Sequence, residues 1–201
     1  MDPVTVSTEA LAPSRVDALI RFMHEEAFSD NPHWRSCHCV FHYLADAQDG
    51  SWADRSAADN EATLRELAGN GEGHWILAYH EGQVVGFVNA DLRPRLRRYD
   101  EWETPSEPDT GIVACFVVHP AWRRRGIATQ LLDAAVASLV SRGARRVDAY
   151  VVVDPERLAA AEKEVGADQL AHHGPLPMYL RAGFTMLEQR DDLAHVRREV
   201  G

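Results

Sequence analysis

The sequence predicts an α/β fold in a single domain over residues 1–201, and three observations carry that expectation. Two apolar strand candidates, Ile112 to Val118 and Val147 to Val153, stand on either side of an amphipathic helix, which suits a parallel crossover buried on both faces. Two further pairs of apolar runs read as antiparallel hairpins. Trp75 to Tyr79 and Val84 to Ala90 are separated by His80-Glu81-Gly82-Gln83, and Thr185 to Gln189 and Ala194 to Val200 by Arg190-Asp191-Asp192-Leu193. Finally, 201 residues with 45% hydrophobic side chains suffice for one sizeable core, since domains commonly run to about 250 residues.

Taken in order, Val4 to Thr8 alternates apolar and polar residues as an edge strand does. Pro13 and Ser14 open a helix in which Val16, Leu19, Ile20, Met23 and Ala27 recur at helical spacing, carrying it to about Phe28. In the following SDNPHWRSCHCVFHY, Cys37-His38-Cys39 with His42 three residues on has metal-ligand residue types, and His33 lies nearby. Cysteine pairs in structural zinc sites are typically separated by two to four residues, whereas one residue separates these. Trp34, Val40, Phe41 and Tyr43 surround them as a packed cluster would, so Cys37, Cys39 and His42 are expected to be core or pocket-lining residues rather than metal ligands.

Ala53 to Ala68 forms the next helix, with Ala57, Ala58, Leu64 and Leu67 inward and Gly69-Asn70-Gly71 closing it. After the first hairpin, DLRPRLRRYDEWETPSEPD sets Arg93, Arg95, Arg97 and Arg98 and then five carboxylates, Asp100, Glu101, Glu103, Glu107 and Asp109, around three prolines. Such composition predicts a solvated, mobile connection. Arg142-Gly143 ends the crossover helix, and Asp154-Pro155 breaks the strand after it. Glu156 to Val165 then reads as a short polar helix.

The formal charge of −10 argues against a general nucleic-acid binder, because phosphate neutralisation needs a net basic face. The longest apolar run, Ile112 to Val118, is far below the roughly 20 residues that span a bilayer. The opening MDPVTVSTEA lacks a basic region followed by an apolar one, and three cysteines make no disulfide framework. A cytoplasmic protein acting on a neutral or cationic small acceptor is expected.

The most informative stretch is Gly111 to Gln130, GIVACFVVHPAWRRRGIATQ. Its apolar run meets His119-Pro120, then Arg123-Arg124-Arg125 and Gly126, after which Ile127, Leu131, Leu132, Ala135, Leu139 and Val140 mark a helix face. A helix start leaves backbone N–H groups unpaired and carries partial positive charge, so it binds anions where small residues admit them. Gly126 and Ala128 supply that access. Arg123-x-x-Gly126-x-Ala128 resembles the pyrophosphate loop of the GNAT acyltransferase superfamily, whose pattern is Arg or Gln, two residues, Gly, one residue, then Gly or Ala. It follows Phe116-x-Val118-x-Pro120, where the family carries an apolar-x-Val-x-Pro strand end. The plain alternative is an arginine-rich solvated loop before an ordinary helix. A dinucleotide fingerprint fits less well, since its first glycine before the helix is missing.

MYLRAGF, residues 178–184, resembles the superfamily's second motif, with Tyr179 a short helix turn before Gly183-Phe184. The resemblance implies that Tyr179 is the general acid at the departing sulfur. The chemistry allows it, because a tyrosine of pKa about 10 is protonated where a thiol of about 8.5 departs. The alternative is a packed aromatic beside the cofactor. One departure stands out: the family commonly has an Asn after the crossover strand, and at the equivalent spacing before Tyr179 this chain has His172 and Pro175. Residues 154–173 therefore look like an insertion, with His172-His173-Gly174 as a turn rather than a catalytic histidine.

The resemblance implies a central mixed, mostly antiparallel sheet with helices on both faces, and a strand split at the acetyl-CoA site. It implies an N-acetyltransferase using acetyl-CoA as cosubstrate. Phe116, Val117 and Val118 would pair with the pantetheine arm, and Arg123, Arg124, Arg125, Gly126, Ile127, Ala128 and Thr129 would hold the pyrophosphate. A small-molecule or peptide amine, not a nucleic acid or membrane, would attack the thioester directly, giving its proton to an unassigned base. Cys115 is expected in the core rather than as a nucleophile. The rival is a non-catalytic acyl-CoA-binding or regulatory module of the same fold, and the oligomeric state, homodimer included, is left open.

Overall fold

The computed structural model describes residues 3–101, 107–154, 156–157, 160 and 171–201. Its strands are β1 Ser7–Ala10, β2 Trp75–His80, β3 Gln83–Leu92, β4 Thr110–Val118, β5 Arg146–Val152, β6 Thr185–Arg190 and β7 Leu193–Glu199. They form one sheet in the order β1-β2-β3-β4-β5-β7-β6, antiparallel at every pair except β4 with β5. Among the described residues its faces are covered chiefly by α1 Val16–Phe22, α2 Ala57–Asn70, α3 Ile127–Ser141 and α4 Leu176–Arg181. The alternation of strand side chains sorts them into two cores. Trp75, Leu77, Phe87 and Val117 pack with Leu19, Phe22 and Leu64 of α1 and α2. On the other face Ile76, Val88 and Phe116 pack with Leu131, Leu132, Ala135 and Leu139 of α3 and with Met178 and Tyr179 of α4. No helix among the described residues is long and apolar enough to cross a membrane.

The feature that shapes the site is a divergence of β4 from β5. The two pair only at Thr110–Ile112 with Arg146–Asp148, while β5 pairs with β7 from Arg146 to Val152. Two physical causes act together. In β4, Asn89 opposes Cys115 and Ala90 opposes Val113, so Ala114 is the extra residue of a bulge, which bends the strand. In β5, the buried Asp148 accepts from Arg197 Nε at 2.7 Å and from His195 Nε2 at 2.8 Å, tying β5 to β7. At the paired end α3 lies so close that a Cβ on Gly111 would be 2.8 Å from Leu139 Cδ1, which fixes the glycine there. The turn Ala171–His173 sits at the opened gap, where the His173 ring meets the Ala114 backbone.

Several element boundaries differ from expectation. The edge strand is Ser7–Ala10, starting three residues and ending two residues later than expected, because its register is set by pairing to Tyr79 through Ile76. The first α-helix ends at Phe22, and Met23–Ala27 continues as one π-helical turn. The second long helix starts at Ala57 because Ser56 and Asp59 form a capping box, with Asp59 N donating to Ser56 Oγ at 3.2 Å and Ser56 N to Asp59 Oδ2 at 2.9 Å.

The charged connection after β3 is a correction. Where solvated mobile chain was expected, Arg93, Leu96, Arg98 and Tyr99 are buried. Both buried arginines reach an exposed carboxylate: Arg93 pairs with Asp100 at 2.8 Å, and Arg98 pairs with Asp46 at 2.8 Å while lying over the Phe41 ring. Residues 102–106 of that connection, and most of the short helix expected over Glu156–Val165, lie outside the described residues.

Candidate active site

The opened strands, the turn before α3 and the residues after α1 enclose a cleft of about 870 Å³. One wall is regular structure. Cys115, Phe116, Val117 and Val118 of β4 run along it, and Arg123, Arg124, Gly126, Ile127, Ala128 and Thr129 form its mouth. The turn achieves this with two left-handed residues, Arg124 at φ 62° and Gly126 at φ 81°, the latter being the N-cap of α3. A Cβ on Gly126 would meet nothing within 4 Å, so the helix start faces open cleft. Small residues at a helix start, two arginines and open space suit a phosphate group, and so fit the pyrophosphate of a coenzyme A moiety.

The three arginines divide their work. Arg123 Nε donates to the Val118 carbonyl at 3.1 Å, and its guanidinium pairs with Asp30 across the cleft. Arg124 lines the mouth. Arg125, grouped with them from sequence, turns away from the lining, and its guanidinium lies 5.1 Å from the centre of the Trp122 ring.

The opposite wall is irregular. Ala27 contributes to it from the π-turn, Trp34, Ser36, Cys37, Phe41 and His42 from the 3-10 segments Pro32–Cys37 and Phe41–Tyr43, and Phe28, Asp30, Asn31 and Cys39 from the links between them. All three cysteines of the chain converge here, with Cys39 Sγ 3.6 Å from Cys115 Sγ. The hydrogen bond between Cys37 and Cys39 holds the half-buried Cys37 thiol below its ordinary value, while the bonds of Cys39 to Cys115 and Cys37 and its burial push the Cys39 thiol well above its own. His42 stacks on the Tyr99 ring, centroids 5.6 Å apart, and burial pushes its pKa down to about 3, with the nearby His172 and Arg98 adding to the effect.

His172, His173, Gly174 and Pro175 close the far end, together with Met178 and Arg181. Burial drives the His173 imidazole well below its ordinary value. Tyr179 stands behind this group rather than on the cleft surface: it is fully buried, and its hydroxyl donates to the His173 carbonyl at 2.7 Å. Burial, with Tyr99 and Cys115 beside it, raises its pKa well above 10, so the proton stays on the oxygen. Asp30 and Arg181 were not singled out from sequence; each is an ordinary residue, in an irregular segment or on a short helix, with no spacing to mark it.

Residues 22–166 match the family model described as "Acetyltransferase (GNAT) family". No curated protein matches the chain at a significant level. Among solved structures, the GNAT domain of S. lividans PAT aligns with TM-score 0.57 at 18% identity, over 98% of this chain and 92% of that one. PaiA N-acetyltransferase from Thermoplasma acidophilum, in complex with coenzyme A, aligns with TM-score 0.53 at 12% identity, over 98% and 100%. A GNAT superfamily phosphinothricin acetyltransferase (Pat) from Sinorhizobium meliloti, in complex with AcCoA, aligns with TM-score 0.53 at 15% identity, over 98% and 90%. These likenesses show a shared fold, and the family model spans most of the sheet and the phosphate turn. The chain belongs to the GNAT acetyltransferase family.

Proposed function

We propose that the protein is an acetyl-CoA-dependent N-acetyltransferase of the cytoplasm, acting on a small-molecule or peptide amine by direct attack in a ternary complex. The observation that carries this reading is the continuity of one cleft from the α3 start, past the opened edge of β4, to the wall formed by residues 28–42. The backbone of residues 126–129, with Arg123 and Arg124, receives the pyrophosphate. Phe116, Val117 and Val118 lie along the path of the pantetheine arm. The acceptor enters beside the Trp34–His172 pair, whose rings meet edge to face with centroids 5.0 Å apart, so that amine and thioester meet beside Cys115.

Attack needs a neutral amine. His42, at about pKa 3, and His173, whose imidazole is likewise driven well below its ordinary value, are too weakly basic to take an ammonium proton near neutral pH. Asp30 is paired with Arg123. Against the expectation of a plain turn at His172-His173-Gly174, we assign the base to His172, which lines the acceptor end, directly or through a water. As the nitrogen–carbon bond forms and the carbon–sulfur bond breaks, the departing thiolate needs a proton; Tyr179 supplies it only by exchanging its bond to the His173 carbonyl and turning from its buried position toward the cleft, and the proton taken from the amine then returns to the tyrosine oxygen through solvent. Holding the two reactants in one cleft supplies the remaining advantage, since the second order of the reaction is removed.

Thiol release on a panel of amines, with mass-spectrometric detection of the acetylated product, tests the reading. Amine-dependent release is expected. Acetyl-CoA binding without release on any amine would favour a non-catalytic acyl-CoA-binding module instead.

A further inference from the structure

Outside the cleft, His24, His38 and Glu61 bring three ligand atoms within 4.8 Å of one another. His24 comes from the π-turn, His38 from the link after Pro32–Cys37, and Glu61 from α2. The two Nε2 atoms are 3.0 Å apart, and Glu61 Oε2 lies 3.7 Å from His24 Nε2. Ligands about 2.05 Å from a tetrahedral zinc stand about 3.3 Å from one another, a value these two separations bracket.

The surroundings orient each ligand. His38 Nδ1 lies 3.2 Å from the Ser36 carbonyl and donates to it, leaving the Nε2 lone pair directed at His24. The same carbonyl accepts from the buried Asn60 Nδ2 at 2.9 Å, and Asn60 Oδ1 in turn accepts from Arg55 Nε at 2.8 Å. A ring N–H given to a fixed carbonyl is the usual outer support of a metal-bound imidazole. Glu61 shows the same division: Arg65 donates to Oε1 at 3.0 and 3.1 Å, leaving Oε2 toward the histidines. The Arg65 charge is shared with Asp17 at 2.7 Å, so Asp17, Glu61 and Arg65 together carry one net negative charge beside the imidazoles.

The backbone is unusual at two of these positions. His24 occupies a π-helical turn, a local form that appears mostly as single turns at functional sites. His38 and the next residue, Cys39, are both left-handed, at φ 50° and 51°, which non-glycine residues rarely adopt. His24 and His38, whose Nε2 atoms are 3.0 Å apart, thus both stand at distorted backbone.

We propose that His24, His38 and Glu61 form a binding site for a divalent transition ion of the zinc class, with its fourth position open to water on the exposed His24 side. Two imidazoles and a carboxylate suit zinc and its first-row neighbours. The ion would tie the π-turn and the Cys37–Cys39 segment to α2. Because Cys37 and Cys39 flank His38 and line the cleft, occupancy sets the shape of the acceptor wall. The site does not depend on the acyl-transfer reading.

The test is calorimetric titration of the chelator-stripped full chain with zinc chloride at pH 7, alongside melting curves. One zinc per chain is expected, with a dissociation constant of micromolar or below, and a melting temperature that rises with free zinc as binding to the folded state requires. His24→Ala and Glu61→Gln change exposed or half-exposed side chains and keep the fold, which circular dichroism checks, and each should weaken binding at least tenfold. Cys37→Ser with Cys39→Ser should retain one zinc per chain. Absence of binding overturns the proposal. So does binding that survives His24→Ala and Glu61→Gln and disappears with the cysteines, which would place the ion on the thiols.

Discussion

The two walls of the cleft are built by different means. The β4–α3 wall is regular: a bulged strand, a tight turn with two left-handed residues, and a helix start. The wall of residues 23–43 is a π-turn, 3-10 segments and two successive left-handed residues, held by ring packing and by side-chain bonds such as Asn60 to the Ser36 carbonyl. An anion site made from backbone N–H groups needs one geometry, whatever else the protein does. A surface made from side chains has as many solutions as it has occupants. The first can therefore be carried by a short motif, and the second cannot.

Gly126→Glu attacks the regular wall where it should be least tolerant, and the largest effect is expected there. A carboxylate at the α3 start opposes the phosphate charge, so acetyl-CoA affinity should fall about 100-fold or more. The fold should persist, because a Cβ at Gly126 meets open space and the left-handed backbone costs only about 1–2 kcal/mol for a non-glycine residue. Calorimetry with acetyl-CoA reads the result, and Gly126→Gln separates charge from bulk. Unchanged affinity in folded Gly126→Glu would remove the phosphate assignment.

The same contrast governs what could be read from the chain itself. The hairpins, the crossover and the mouth of the cleft follow from apolar alternation, helical spacing and Arg123-x-x-Gly126-x-Ala128, all of them local patterns. The approach of Cys115 to Cys39, 76 positions apart, is made by tertiary packing and has no local signal. The metal-like cluster shows this most sharply. Cys37-His38-Cys39-His42 drew attention as neighbours in sequence, yet His38 faces His24 and Glu61 while Cys39 faces Cys115. The charged connection misled for a related reason: composition counts arginines, but cannot show that Arg98 covers Phe41 and reaches Asp46.

Tyr179→Phe tests the far end, where both walls meet. Turnover should fall about 100-fold, the low end for general acid catalysis because a thiolate already leaves tolerably, with acetyl-CoA affinity nearly unchanged. Losing the bond to the His173 carbonyl should also lower stability by about 1 kcal/mol. Steady-state thiol release together with melting curves separates the two. Turnover within about twofold of the parent, alongside lowered stability, would show that the hydroxyl only fastens the His173 turn.

Acid should loosen the irregular wall first. His42 is neutral when folded, with a pKa pushed to about 3 by burial, against about 6.5 when unfolded. Between those values the unfolded chain binds more protons, so stability falls as pH falls through the window. For one imidazole the loss at pH 5 is about 2 kcal/mol, or roughly 4–8 °C in a domain of this size. Melting temperatures of the parent should therefore drop between pH 7 and pH 5, and those of His42→Phe should drop less. Parallel slopes for the two would place the acid sensitivity elsewhere.

Asp30→Asn is the mildest change and the one that joins the two walls. Asp30 belongs to the irregular wall, yet its carboxylate holds Arg123 of the phosphate mouth, whose Nε is fixed by the Val118 carbonyl. Both side chains are partly exposed, and such pairs contribute only about 0–1 kcal/mol, so the fold should not notice the loss. Ligand binding should notice it, in a direction that decides what the pair does. If a phosphate takes over Arg123, the carboxylate is a competitor and a nearby like charge, and its removal should tighten acetyl-CoA binding about two- to fivefold. That gain should shrink as salt is raised, because the interaction is screened over a Debye length of about 10 Å at 0.1 M. A weaker affinity in Asp30→Asn would mean the opposite. Asp30 would then be presenting Arg123 to the ligand, and the irregular wall would be part of the cofactor site rather than its neighbour.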